Sequence, residues 1–187
     1  LFKLLDHKDE YLRAWAVQLL TEDQKASPKT LAKFATMASE DQTPTVRLYL
    51  AAAMQRMPIA QRWALMEALT LRGEDKDDHN IPKMIWFGLE PMVSVDPARV
   101  LGIAHRTGLP ILTQWIARRA AEGDQKMLGA AMVSLGSPEG SKTTQLGLLQ
   151  GIREGLGTRK NLKATPEWLV HLNRFNRDDE DPKIKRL

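Results

Sequence analysis

The segment from Glu74 to Asn80, EDKDDHN, gathers the side chains from which a reactive site could be built: four carboxylates, one imidazole and one amide in seven residues. Carboxylate oxygens bind hard divalent cations and imidazole binds zinc, so metal binding is the first chemistry to weigh. The spacing argues against it. It fits no zinc signature, and a calcium loop would need a central glycine and a closing glutamate that are missing here. General acid–base work by His79 with Asp77 or Asp78 is the second possibility. It lacks a neighbouring nucleophile or second histidine, since His7, His105 and His171 lie far off along the chain. The residues therefore predict no catalytic group, no metal and no cofactor. Asp77, Asp78 and His79 are expected to form a loop that touches a partner. Asn80 is expected to cap the following helix by accepting the amide of Lys83, with Pro82 in the first turn and the two aspartates favoured by the helix dipole.

A second candidate for binding is Arg118 with Arg119, in TQWIARRAAEG, where cations follow a tryptophan on one helical stretch. Further basic groups are REGLGTRKNLK and the terminal KIKRL. Together they allow a phosphate-binding surface. Yet 27 basic residues are interspersed with 23 acidic ones for a net charge of +4, whereas nucleic-acid binders concentrate cations on one face. Nucleic acid is thus the alternative partner, behind another protein or other domains of a parent chain. The run GSPEGSK lacks the spacing of a phosphate loop and reads as a turn and helix start. With no cysteine, disulfides, thiolate nucleophiles, iron–sulfur ligation and covalent haem attachment are excluded within this sequence. Trp15, Trp63, Trp86, Trp115 and Trp168 fall on separate helical stretches among Leu, Ile and Met, which predicts core positions.

The elements that would position these groups are helices. Apolar residues recur at helical spacing in LRAWAVQLL, LAKFATMA, VRLYLAAAMQRM, RWALMEAL, ARVLGIAH and ILTQWIARRAA, while alternation of period two is hard to find. Short turn-forming pieces separate them, so consecutive helices should form antiparallel hairpins. A branched apolar residue followed by Arg, Pro or Lys recurs at Leu12–Arg13, Val46–Arg47, Ile81–Pro82, Leu109–Pro110 and Ile184–Lys185, the first four separated by 34, 35 and 28 residues. The wide last interval leaves room for one more second helix near 143–156. This near-regular period predicts an all-α fold, an α-solenoid superhelix of about five antiparallel helix pairs over residues 1–187 as a single domain.

The pattern KDEYLRAWAVQLL, with an acid, an apolar–Arg pair and then small and large apolar positions, resembles the HEAT repeat of armadillo-like proteins, as does DQTPTVRLYLAAAMQRM. The resemblance implies that Asp9, Asp41, Arg13 and Arg47 bond between neighbouring units and are structural. Taken in order, LYLAAAMQRMP, RWALMEAL, EDKDDHNIPKMIWFGLEPMVSVDPARVLGIA and LPILTQWIARR resemble the HEAT-repeat segment of planctomycete-type multidomain proteins described as haem-binding or as membrane-bound dehydrogenases. The likeness covers residues 9 to 120 well and the rest loosely. In that family it implies a propeller similar to glucose/sorbosone dehydrogenases before the repeats and a cytochrome module with Cys-x-x-Cys-His after them. Neither is present in these residues, so any redox activity is expected to reside elsewhere in the parent. The resemblance alone suggests a periplasmic or extracellular location. The sequence starts without Met inside an amphipathic pattern, and a fragment of a larger chain is expected. No apolar run approaches the ~20 residues needed to span a bilayer, so membrane insertion is not expected. The expected function is that of a non-enzymatic scaffold or interaction module.

Overall fold

A computed structural model describes residues 1–157. Among them the chain forms nine α-helices and no strand: α1 (Glu10–Leu19), α2 (Pro28–Glu40), α3 (Pro44–Ala53), α4 (Ile59–Thr70), α5 (Ile81–Val95), α6 (Pro97–Arg106), α7 (Pro110–Glu122), α8 (Gln125–Leu135) and α9 (Lys142–Leu156). Short 3-10 turns at Phe2–Asp6, Met54–Arg56 and Gly73–Asp75 join or precede them. The starts follow from local chemistry. Asp9, Ser27, Asp96, Asp124 and Ser141 each accept backbone amides of the first turn through a side-chain oxygen, which satisfies donors that the helix itself leaves unpaired. Prolines open α2, α3, α6 and α7, where a missing N–H costs little. The expected second helix near 143–156 is α9. The repeat opening at Ile184–Lys185, Trp168 and the basic end of the sequence lie outside the described residues.

The chain clusters into two compact units, Leu1–Pro91 and Met92–Leu187. In the first, α1 packs on α3 and α2 on α4, while α3 also meets both α2 and α4. In the second, α6 packs on α8 and α7 on α9, with α7 also against α6 and α8. Within each unit, helices two apart in the chain therefore pack on one another, α1 on α3 and α2 on α4 in the first, α6 on α8 and α7 on α9 in the second. The first core is built on Val17, Phe34, Leu50, Met54, Met66 and Leu69, and the second on Val100, Leu112, Ile116, Ala120, Met132 and Leu148, all buried.

α5 runs through Pro91 to Val95; burial of Leu89, Met92 and Val93 on both sides outweighs the lost backbone hydrogen bond. Two local expectations are corrected. Trp15 is 51% exposed and Trp63, Trp86 and Trp115 are only partly buried, so none of the four tryptophans among the described residues is fully buried in the core. Close packing there favours the smaller aliphatic residues, with methionine filling gaps. Asn80 does not cap α5 through its side chain. Asp78 Oδ1 takes the amides of Asn80 and Ile81, each at 2.8 Å, and a carboxylate is the stronger acceptor.

Candidate functional site

The first unit carries a repeated polar rung. Arg13 enters α1 at its fourth residue and Arg47 enters α3 at its fourth, so each guanidinium leaves the first helical turn in the same direction. Arg13 grips Asp41 with two nitrogens, at 2.7 and 3.0 Å. Arg47 grips Asp75 with two, at 2.6 and 2.5 Å. Both pairs join residues 28 apart, and in both the third nitrogen donates to the carbonyl six residues earlier, His7 for Arg13 and Asp41 for Arg47. The planar fork matches a carboxylate on one edge and a carbonyl on the other. Thirty-four residues beyond Arg47 and Asp75 stand Ile81 and Leu109, both buried and apolar, so the series has two rungs.

The rungs differ in burial. Arg47 and Asp75 are 2% and 3% exposed, and the hydrogen bond to Asp75 holds Arg47 further toward its charged form despite that burial. Burial pushes the Asp41 carboxyl upward, but the hydrogen bonds from Arg13 and from Thr43 outweigh it and hold the group below the usual carboxylate range. Arg72 reinforces the same joint. It donates to the carbonyls of Ser39 and Asp41 and pairs with Glu74 at 2.6 Å. Arg62 is buried and donates to the carbonyls of Met57 and Gly88, at 2.8 and 2.9 Å, and this burial lowers its pKa. It ties the end of the Met54–Arg56 turn to α5.

The acidic loop is largely consumed by this framework. Asp75 belongs to the buried rung, and Glu74 serves Arg72. Asp78 holds the start of α5, with its pKa lowered by the amides of Ile81 and Asn80. Asp77 and His79 remain exposed, with Lys76 at 3.9 Å from Asp77. Among the described residues no group of three or more His, Asp or Glu side chains is placed to hold a metal ion. Asp9, expected to pair with an arginine between units, instead caps α1 by accepting Tyr11 and Leu12 amides.

Arg118 and Arg119 lie in the second unit, next to one another on α7. Arg118 Nε donates to Glu122 at 2.8 Å, one turn on, and this carboxylate raises the arginine's pKa. Arg119 donates to Ser94 Oγ at 3.4 Å. Beside them α7 and α9 meet through a line of glycines, Gly147, Gly151 and Gly155. A Cβ on Gly151 would fall 2.1 Å from the Gln114 carbonyl oxygen, and one on Gly155 would fall 2.6 Å from that of Arg118. An open groove at the end of this seam is lined by Gln114, Gln150, Arg153, Glu154 and Gly157, with Gln114 donating to Glu154 at 2.7 Å. Elsewhere in the unit, His105 Nε2 meets Ser134 Oγ at 2.7 Å, and its buried Nδ1 has no hydrogen-bond partner.

Sequence reasoning missed Asp75 as the partner of Arg47, and missed Arg62, Arg72 and the His105–Ser134 pair. Asp75 was discoverable: offsetting the sequence by 34 aligns Arg13 with Arg47 and Asp41 with Asp75. Arg62 bonds only carbonyls, which leave no residue-type signal. Compared with known proteins, the chain matches no family model, no curated protein and no solved structure.

Proposed function

We propose that this chain is a non-enzymatic α-solenoid module of HEAT-like helix pairs that serves as a scaffold or interaction surface within a larger, exported redox-type protein. The observation that carries the reading is the two-rung arginine–aspartate series. A bond that joins residues 28 apart and recurs after 34 residues couples one helix pair to the next, which is how stacked repeats share stability between neighbours. The packing of α1 on α3, α2 on α4, α6 on α8 and α7 on α9 supports it further. The charged residues nearest to a reactive constellation are spent on structure: Asp75 on Arg47 and Asp78 on a helix start. The placement in a planctomycete-type parent rests on the sequence resemblance alone.

The test is a titration of the purified protein against the modules encoded beside it in its own reading frame, read by calorimetry. Saturable binding to a flanking propeller or cytochrome module supports the reading, and absence of binding to every flanking module overturns the interaction role. A parallel titration with duplex DNA at low salt separates the alternative partner. Affinity that falls steeply with added salt would move the function to nucleic acid.

A further inference from the structure

Arg62 is a cation without a counter-ion. It is only 9% exposed, and both of its hydrogen bonds go to carbonyls, Nε to Met57 and Nη1 to Gly88. A guanidinium carries five N–H donors, so with two in use three remain, on Nη1 and Nη2. Nη2 has no hydrogen bond and is not sealed from solvent. Burial lowers the pKa of Arg62, and no carboxylate among the described residues offsets that effect. The contrast with the rungs is direct. Arg13, Arg47 and Arg62 are each the fourth residue of a helix, but only the first two hold an aspartate. A charge withdrawn from water is costly unless it is paired, and carbonyl dipoles offset that cost only in part.

The place where this charge sits adds a second, independent feature. Met57, which receives Nε, immediately precedes Pro58, the N-cap of α4, so the guanidinium folds back over the start of its own helix. Five other helices have an aspartate or serine over their first-turn amides. No side chain caps α4. The positive end of the helix dipole therefore adds to the charge of Arg62, and both favour an anion.

We infer that the start of α4 and the free nitrogen of Arg62 form a carboxylate-binding site, filled by an aspartate or glutamate side chain of a partner polypeptide. The single full charge matches a carboxylate. A phosphate dianion would carry a second negative charge toward the carbonyls of Met57 and Gly88, with no further cation to meet it. The chain itself closes the starts of α1, α6 and α8 with aspartates, and at α4 the same group comes from outside. Because Arg62 reaches solvent only at its tip, the ligand must offer the carboxylate on a projecting side chain. The inference goes beyond the scaffold reading and does not depend on it.

The test follows the guanidinium and backbone N–H signals of the isotope-labelled full chain by nuclear magnetic resonance. Sodium acetate, the blocked peptide acetyl-Gly-Glu-Gly-amide or sodium phosphate is added at constant ionic strength, with sodium chloride as the reference. The Arg62 signal and the amides of Ile59 and Ala60 should shift saturably with acetate and with the peptide, at the millimolar concentrations expected of one charge-assisted contact. Signals of Arg13 and Arg47 should stay in place, since Asp41 and Asp75 occupy their edges. In Arg62→Lys, which also identifies the Arg62 signal by its loss, the shifts of Ile59 and Ala60 should need several-fold more acetate. Through-bond assignment in the unaltered chain serves if that variant does not fold. Four results overturn the inference: no shift at Arg62 with any anion, equal shifts at every arginine, phosphate acting at lower concentration than acetate, or a response to acetate with none to the peptide. The third would assign the site to a free inorganic anion and the fourth to a free small carboxylate.

Discussion

Asp41 and Asp75 each receive an arginine fork, yet their surroundings differ, and that difference sets what each is worth. Around the Arg47–Asp75 pair water is excluded, so removing one partner strands a buried charge. Arg47→Leu is expected to cost about 3–5 kcal/mol in chemical denaturation, while the double change Arg47→Leu with Asp75→Leu should recover much of that loss. A double variant as unstable as the single one would show that the pair itself, and not the stranded charge, carries the energy. For Asp41 the useful variable is pH. Its folded pKa is lowered, so the folded state binds fewer protons than the unfolded one. The resulting stability is full above the unfolded value of about 4 and is lost as pH falls through the lower folded value. Asp41→Asn should therefore flatten the loss of stability seen on acidification below about pH 4; an unchanged acid profile would count against it. In the loop, Asp78→Ala should cost about 1 kcal/mol by loss of the cap, whereas His79→Ala should stay within about 0.5 kcal/mol, both read from urea unfolding.

Among the elements, α7 and α9 make the sharpest demand on side-chain size. Gly151→Ala adds helix propensity of about 1 kcal/mol, but its Cβ would sit against a carbonyl oxygen, and overpacking of about 1–3 kcal/mol or more wins. Gly102 and Gly129 also lie within helices, and a Cβ there meets nothing within 4 Å. Gly129→Ala should accordingly raise the melting temperature and Gly151→Ala lower it, a pair of opposite signs that differential scanning calorimetry can check. The helices themselves were legible in the sequence because caps and prolines mark their starts and a 3.6-residue period marks their faces. The span of α9 was foreseen almost to the residue from the interval between repeat openings. What escaped was long-range or non-local in character. The continuation of α5 through Pro91 depends on burial on both sides of that residue. The partial exposure of the tryptophans depends on how tightly aliphatic neighbours fill the core. Asp75 looked like one more loop acid until a residue 28 positions earlier claimed it. The replacement of Asn80 by Asp78 as the capping group turned on a loop geometry that residue types alone do not dictate.

For the whole molecule, coupling should be local. Each unit has its own buried aliphatic core, so a change within one should be felt there first. Asp75→Ala should therefore speed amide exchange in α3 and α4 well before α8 and α9 respond. Uniform acceleration along the described helices would instead indicate one cooperative block. The glycine line on α9 has a further consequence for how that block of the chain finds its place. Gly151 and Gly155, four residues apart, act as notches where the α7 carbonyls of Gln114 and Arg118 come closest. Sliding α9 by one, two or three residues would drive Gln150, Leu149 or Leu148 toward the Gln114 carbonyl, which tolerates no side chain. Sliding by four brings Gly147 and Gly151 to those carbonyls and carries Gly155 past them. Axial error along this contact is thus confined to whole-turn slips, each forfeiting one close contact, so the seam selects its alignment in discrete steps.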